Sequence, residues 1–230
     1  MSPIANAMIR VLLTGFAAFP GVENNPSAAL MAALEKKRAH FDRLGIRLET
    51  RVLPVVYDGL AARLSELCVD TRPDAILHFG VAARRKCISI ETRARNRVDP
   101  RAADAQGERP DLNVLSLDGA ETIPVRIPAA EIAARIRDAG IAARISRDAG
   151  AYLCNATLYE TLRTQKDRPA GFIHIPIPAR ADDASRPSFA DIAAAAEIAI
   201  VAVAALTRGD FAGNRGTVIK FAMLTRPRDN

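Results

Sequence analysis

Tryptophan is absent from this 230-residue chain, and aromatic residues make up only 5% of it. Rings on which nucleic-acid bases could stack are therefore scarce. Cysteine is almost as rare. Cys68, Cys87 and Cys154 are an odd number without metal-ligand spacing, which argues against both a disulfide framework and a zinc site and fits a reducing cytoplasm. Met1 to Met8 lacks the basic start and apolar run of a secretory signal, and no stretch approaches the ~20 apolar residues of a membrane span. The longest candidate, Ile192 to Leu206, is short and rich in alanine and reads as a core-packed helix. Lysine is limited to Lys36, Lys37, Lys86, Lys166 and Lys220, so the formal net charge of +6 is carried by arginine. Those arginines are scattered rather than massed on one helix, and neither a nucleic-acid nor a membrane partner is expected.

What is present is a chain with 49% hydrophobic residues, long enough to bury one sizeable core. No repeat or low-complexity linker divides it. The expectation is one α/β domain over about residues 9–207, with short tails at 1–8 and 208–230. Ile9 to Thr14, Ile46 to Leu53, Ala75 to Phe79, Thr122 to Ile127 and Ile141 to Ile145 read as strands. They alternate with helical stretches from Ser27 as N-cap, from Asp58 or Gly59 to Val69, over Ala129 to Asp138, over Cys154 to Leu162, and from Ser188 or Asp191 to Thr207. Such alternation predicts a three-layer α/β/α fold around a twisted, largely parallel but mixed sheet.

The stretch Ser146 to Asn155 delivers Cys154 from a strand end to a helix start. A free cysteine is commonly a small buried hydrophobe. At a helix start, however, unpaired N–H groups and the positive dipole end favour a thiolate, which makes the thiol a candidate nucleophile. In Gly171 to Pro178, Phe172, His174 and Pro176 share one strand face, and His174 falls near the strand's end. Ligands and catalytic groups of open α/β sheets gather at such ends, so His174 is either a satisfied core histidine or a base. His40 and His78 read as structural. Ile88 to Asn96 alternates as one strand with Ser89, Glu91, Arg93 and Arg95 on a common face. Glu91 is thus a solvated edge charge or a carboxylate turned toward a site. Phe16 and Phe19 lie in a loop bounded by glycine and proline, where they either tuck into a satellite core or flank a flat ligand. Pro100 to Asn113 is a polar excursion read as part of a lid or an oligomer contact.

Four separated stretches resemble the type I pyroglutamyl peptidases: Thr14-Gly15-Phe16 through Asn25-Pro26-Ser27; Gly80 through Glu91 to Asn96; Ile145 to Asn155; and Gly171 to Pro176. The resemblance implies a cysteine exopeptidase that removes amino-terminal pyroglutamate from peptides through a thioester, without metal or cofactor, as a homo-oligomer. Cys154 would be the nucleophile, His174 the base and then the acid, and Glu91 the orienting carboxylate. The Cys154 N–H and Arg101 would hold the oxyanion, and Phe16, Phe19, Asn25, Val81, Tyr152 and Leu153 the substrate. Val81 departs from the family's usual glutamine, Ala82 to Arg85 from its glycines, and Arg93 introduces a cation able to pair with Glu91. Those departures keep two alternatives open: a cysteine amidohydrolase with another acyl specificity, and a catalytically silent lactam-binding homologue.

Overall fold

The computed structural model of the chain describes residues 8–180 and 185–209. Eight strands and six helices follow in order: β1 Ile9–Phe16, α1 Pro26–Glu35, α2 Arg38–Arg43, β2 Ile46–Leu53, α3 Leu60–Thr71, β3 Ala75–Val81, β4 Ile88–Glu91, β5 Arg93–Arg95, β6 Thr122–Pro124, α4 Ala129–Asp138, β7 Ala143–Ser146, α5 Leu153–Thr164, β8 Ala170–Ile175 and α6 Phe189–Thr207. Six strands form one sheet in the order β2-β1-β3-β8-β4-β7. The first four of these run parallel to one another. β4 is antiparallel to β8 and parallel to β7, so two strands at one edge are reversed and the sheet is mixed.

Period-two alternation along the buried strands sorts their side chains into two cores. Val11, Leu13, Leu77, Phe79, Ile88, Ile90, Ile173 and Ile175 pack beneath α1, α4 and α6. Leu12, Phe16, Ile76 and Phe172 pack beneath α3 and α5. The polar residues of β3, β4 and β8 that interrupt the apolar runs (His78, Ser89, Glu91 and His174) alternate onto the α5 side, and all four are buried. An unpaired polar group there would be costly, so the α5 face is where functional groups are to be sought.

Several local expectations change. The N-cap of α1 is Asn25, whose Oδ1 accepts from the Ser27 N–H. Ser27 instead lies buried and accepts the Phe16 N–H on its hydroxyl at 2.9 Å. The stretch 88–96 is two strands rather than one. It breaks at Thr92, whose hydroxyl donates to the Ser146 carbonyl at 2.9 Å, after which β5 leaves the main sheet to pair with β6. The apolar run ending at Leu206 becomes the 19-residue α6, capped by a reciprocal Ser188–Asp191 box. By length and composition it could cross a membrane, although its buried side packs on α1, α4, β1 and β3. The apolar patch from Val218 to Leu224 lies outside the described residues.

Candidate active site

β7 and β8 do not neighbour each other, contrary to what consecutive strand-helix units suggest; β4 lies between them. That insertion brings the acid to the histidine. Ser89 of β4 is the register partner of His174, and Glu91, two residues further on the same face, reaches back along β8. His174 Nδ1 stands 2.8 Å from Glu91 Oε1. A carboxylate only accepts, so Nδ1 carries the proton and Nε2 keeps its lone pair.

On the other side of β8, Gly80 of β3 is paired in register with His174. A Cβ built on Gly80 would stand 2.9 Å from Cys154 Sγ and 2.7 Å from Phe172 Cζ. The nucleophile candidate thus packs against bare backbone directly beside the histidine, and only glycine leaves room for it there. Cys154 is the second residue of α5, which opens after Tyr152 without a side-chain cap. The preceding loop is held from several directions. Gly150 N–H donates to Asp148 Oδ1 and Asp99 N–H to the Ala151 carbonyl. The Asn155 amide donates to the Arg95 and Arg97 carbonyls while accepting the Arg95 N–H.

Burial pushes the Cys154 thiol up to about 12, aided by the charge of Glu91; Arg85 and the residue's own N–H act in the opposite sense. The helix start therefore does not by itself make a resting thiolate. His174 is held below the ordinary imidazole value by burial, with Glu91 opposing. Burial raises the Glu91 carboxyl, but its interactions with His174, Ser146 and Arg85 together outweigh burial, and the net direction is down. The arrangement sets the Cys154 thiol against the backbone that pairs with His174, and backs the imidazole with a carboxylate. In it, His174 can take the thiol proton as attack proceeds.

Cys154 also lines a small cavity of about 50 Å³ with Phe16, Phe19, Asn25, Val55, Val81, Tyr152 and Leu153, room for a few water-sized groups. All six residues expected at the substrate meet here. Val55 is the addition that sequence reading missed, since it follows β2 without any motif of its own. Asn25 spends its polar atoms on the loop, its Nδ2 donating to the Ala17 carbonyl at 3.0 Å. The polar excursion is pinned beside these walls: Asp104 accepts the Tyr57 N–H, Ala105 N–H donates to the Val55 carbonyl, and Tyr152 hydroxyl donates to the Ala103 carbonyl.

Two arginines differ from expectation. Arg101 holds Asp99 at 3.1 Å with its side chain 89% exposed, so its guanidinium is engaged outside the cavity. Arg93 does not pair with Glu91 but donates to the Arg147 carbonyl, because the break at Thr92 turns it away. The cation on Glu91 is Arg85, with Nη1 2.6 Å from Oε1. Among the described residues no three His, Cys, Asp or Glu side chains are grouped to hold a metal ion. A wider, open cleft of about 620 Å³ beside the start of β8, lined by Asp74, Arg126, Lys166 and Asp167 among others, contains no cysteine, serine or histidine.

A family model described as pyroglutamyl peptidase matches residues 9–207. A pyrrolidone-carboxylate peptidase of Thermococcus onnurineus is 35% identical over 187 residues, covering 79% of this chain and 91% of the relative. One of Pseudomonas fluorescens is 34% identical over 184 residues, with 78% and 84% covered. Among solved structures, pyroglutamyl peptidase I of Bacillus amyloliquefaciens superposes with a TM-score of 0.75 at 30% identity, covering 86% of this chain and 97% of that one. Pyrrolidone carboxyl peptidase of Thermus thermophilus gives 0.75 at 32% identity, with 84% and 99% covered.

Proposed function

The chain belongs to the pyroglutamyl peptidase family and is a cysteine peptidase that removes amino-terminal pyroglutamate, and from that premise we propose that Cys154, His174 and Glu91 carry the reaction. The observation that supports this most is the convergence of three elements on one sheet face: Cys154 Sγ against Gly80, Gly80 in register with His174, and His174 Nδ1 2.8 Å from Glu91. The thiol gives its proton to His174 Nε2 while sulfur bonds to the scissile carbonyl carbon. The imidazolium then protonates the departing amine, and water, activated by the same imidazole, hydrolyses the thioester. Glu91 keeps the imidazole in one tautomer and stabilises its transient charge. The Cys154 N–H at the start of α5 is aimed to help hold the oxyanion, a donor worth roughly 3 kcal/mol in comparable sites.

The lining of the cavity suits the chemistry of the acyl group. A five-membered lactam is flat and uncharged, so it needs apolar walls and a few hydrogen bonds rather than an ion pair. Phe16, Phe19, Val55, Val81 and Leu153 supply such walls. The enzyme works on peptides in a reducing compartment, where the unpaired Cys68, Cys87 and Cys154 stay reduced, and assembly as a homo-oligomer belongs to the same proposal. The direct test is release of a fluorescent amine from its pyroglutamyl amide under reducing conditions, wild type beside Cys154→Ala. Turnover by the wild type alone is expected. Turnover by both would remove Cys154 from its role.

A further inference from the structure

Resting on the triad reading above, we propose that Arg85 is a positioning residue of this reaction, its guanidinium joining the carboxylate behind His174 to the loop that carries Cys154. Nη1 of Arg85 donates to Glu91 Oε1 at 2.6 Å, and Nη2 donates to the Asp148 carbonyl at 2.7 Å. One planar fork thus bridges the end of β4 and the β7–α5 loop. Arg85 itself belongs to a third segment, the β3–β4 connection, where its N–H donates to the Ala82 carbonyl. Arg186 donates to the Ala83 and Arg85 carbonyls, tying in the approach to α6.

Glu91 concentrates its hydrogen bonds on one oxygen. Oε1 accepts from both His174 and Arg85, the Ser146 side chain also lies against the carboxylate, and the buried Oε2 makes no hydrogen bond of regular geometry. The two regular hydrogen bonds that fix the carboxylate's rotation thus converge on one atom, and removing the arginine leaves only one of them, from the imidazole itself. A lysine cannot reproduce this, since one ammonium is a point charge without two parallel, fixed donors.

Position also carries charge. Around His174 stand Glu91, Asp148 and Arg85; around Cys154 stand Glu91, Arg85, Tyr57 and Tyr152. Of these only Arg85 is cationic. It disfavours the imidazolium and favours the thiolate, so it lowers the acid limits of both groups and helps the imidazolium give its proton to the leaving amine. Replacing it with a neutral residue moves both limits to higher pH.

The experiment compares wild type, Arg85→Gln and Arg85→Lys for kcat and KM on a pyroglutamyl amide across pH, and for the rate of Cys154 alkylation by iodoacetamide across pH. For Arg85→Gln, kcat is expected to fall roughly 10- to 100-fold with KM little changed, and the acid limb of kcat/KM to move up by about half to one pH unit. Arg85→Lys should return the limb close to the wild-type position while kcat stays low. Unchanged limbs in Arg85→Gln, or a raised KM with kcat intact, would overturn the proposal. Should the wild type fail to cleave pyroglutamyl amides while the alkylation limb still moves in Arg85→Gln, the substrate reading fails and the role of Arg85 stands.

Discussion

Two histidines on adjacent strands face the same core and flank the same ring, and the roles proposed for them differ. His78 of β3 has its ring centroid 6.1 Å from that of Phe172, and His174 of β8 stands 4.7 Å from it. Both are almost fully buried. His78 lies between two hydroxyls, Thr14 Oγ1 at 2.7 Å from Nδ1 and Thr161 Oγ1 at 3.0 Å from Nε2. Both ring nitrogens are occupied and no charge answers an imidazolium, so burial pushes its pKa down to about 3. His174 has a carboxylate on one nitrogen and a cysteine on the neighbouring backbone path. Burial is common to both rings. What differs is the partner on Nδ1, a hydroxyl for His78 and a carboxylate for His174.

The sharpest way to break this comparison is to exchange the expected losses. His174→Gln should reduce kcat by about 10³-fold or more, with thermal stability near wild type, because the general base is gone. His78→Leu should leave most of the turnover but lower stability by about 2 to 4 kcal/mol, since it strands the Thr14 and Thr161 hydroxyls in the core. Paired activity assays and urea unfolding curves read both; a His78 variant as inactive as the His174 variant would erase the distinction.

Next in size is Gly80→Ala, which sets a methyl against Cys154 Sγ and Phe172. Phe172 is wholly buried and cannot yield easily, so the sulfur must shift. A kcat loss on the order of 10²-fold with intact folding is expected, measured by kinetics and circular dichroism. Phe19→Ala should act chiefly through the acyl pocket, raising KM by roughly tenfold for the lost apolar wall.

The two rings also separate along the pH axis. His174 must be neutral to act, and its pKa is below 6.5. Activity should therefore persist as pH falls past 6.5 and decline only on the acid side of it. His78 has a folded value near 3 against 6.5 unfolded. Its depressed value means that its contribution to stability is complete above 6.5 and is lost progressively as pH falls from 6.5 toward 3, by up to about 1.4 kcal/mol per pH unit. Equilibrium unfolding across that window in wild type and His78→Leu measures it; the variant should show the shallower dependence.

How much of this the sequence disclosed follows from which interactions are local. β1, β3 and β8 are apolar runs ended by glycine or proline, and α4 is a short amphipathic stretch between Pro128 and Gly140; their limits were readable to within a few residues. The two faces of β8 were readable as well, because Ile173 and Ile175 alternate with Phe172 and His174. What no local pattern announces is pairing at a distance. The insertion of β4 between β8 and β7, which carries Glu91 to His174, is fixed by backbone bonds between residues about 80 positions apart. The break at Thr92 depends on the Ser146 carbonyl across the sheet. Without that break Arg93 reads as the partner of Glu91, whereas Arg85, six residues earlier on a loop of no regular period, holds it. Val55 and the docking of Ala103 to Ala105 at the cavity wall were hidden for the same reason.

The measurement closest to the central claim is intact-protein and peptide mass spectrometry of enzyme quenched in acid within the first turnovers of a pyroglutamyl ester. One pyroglutamyl unit attached to the peptide bearing Cys154 is expected in wild type and in His78→Leu, and none in Cys154→Ala. An acyl group on any other residue, or turnover by a wild type that never carries one, would contradict a Cys154 thioester.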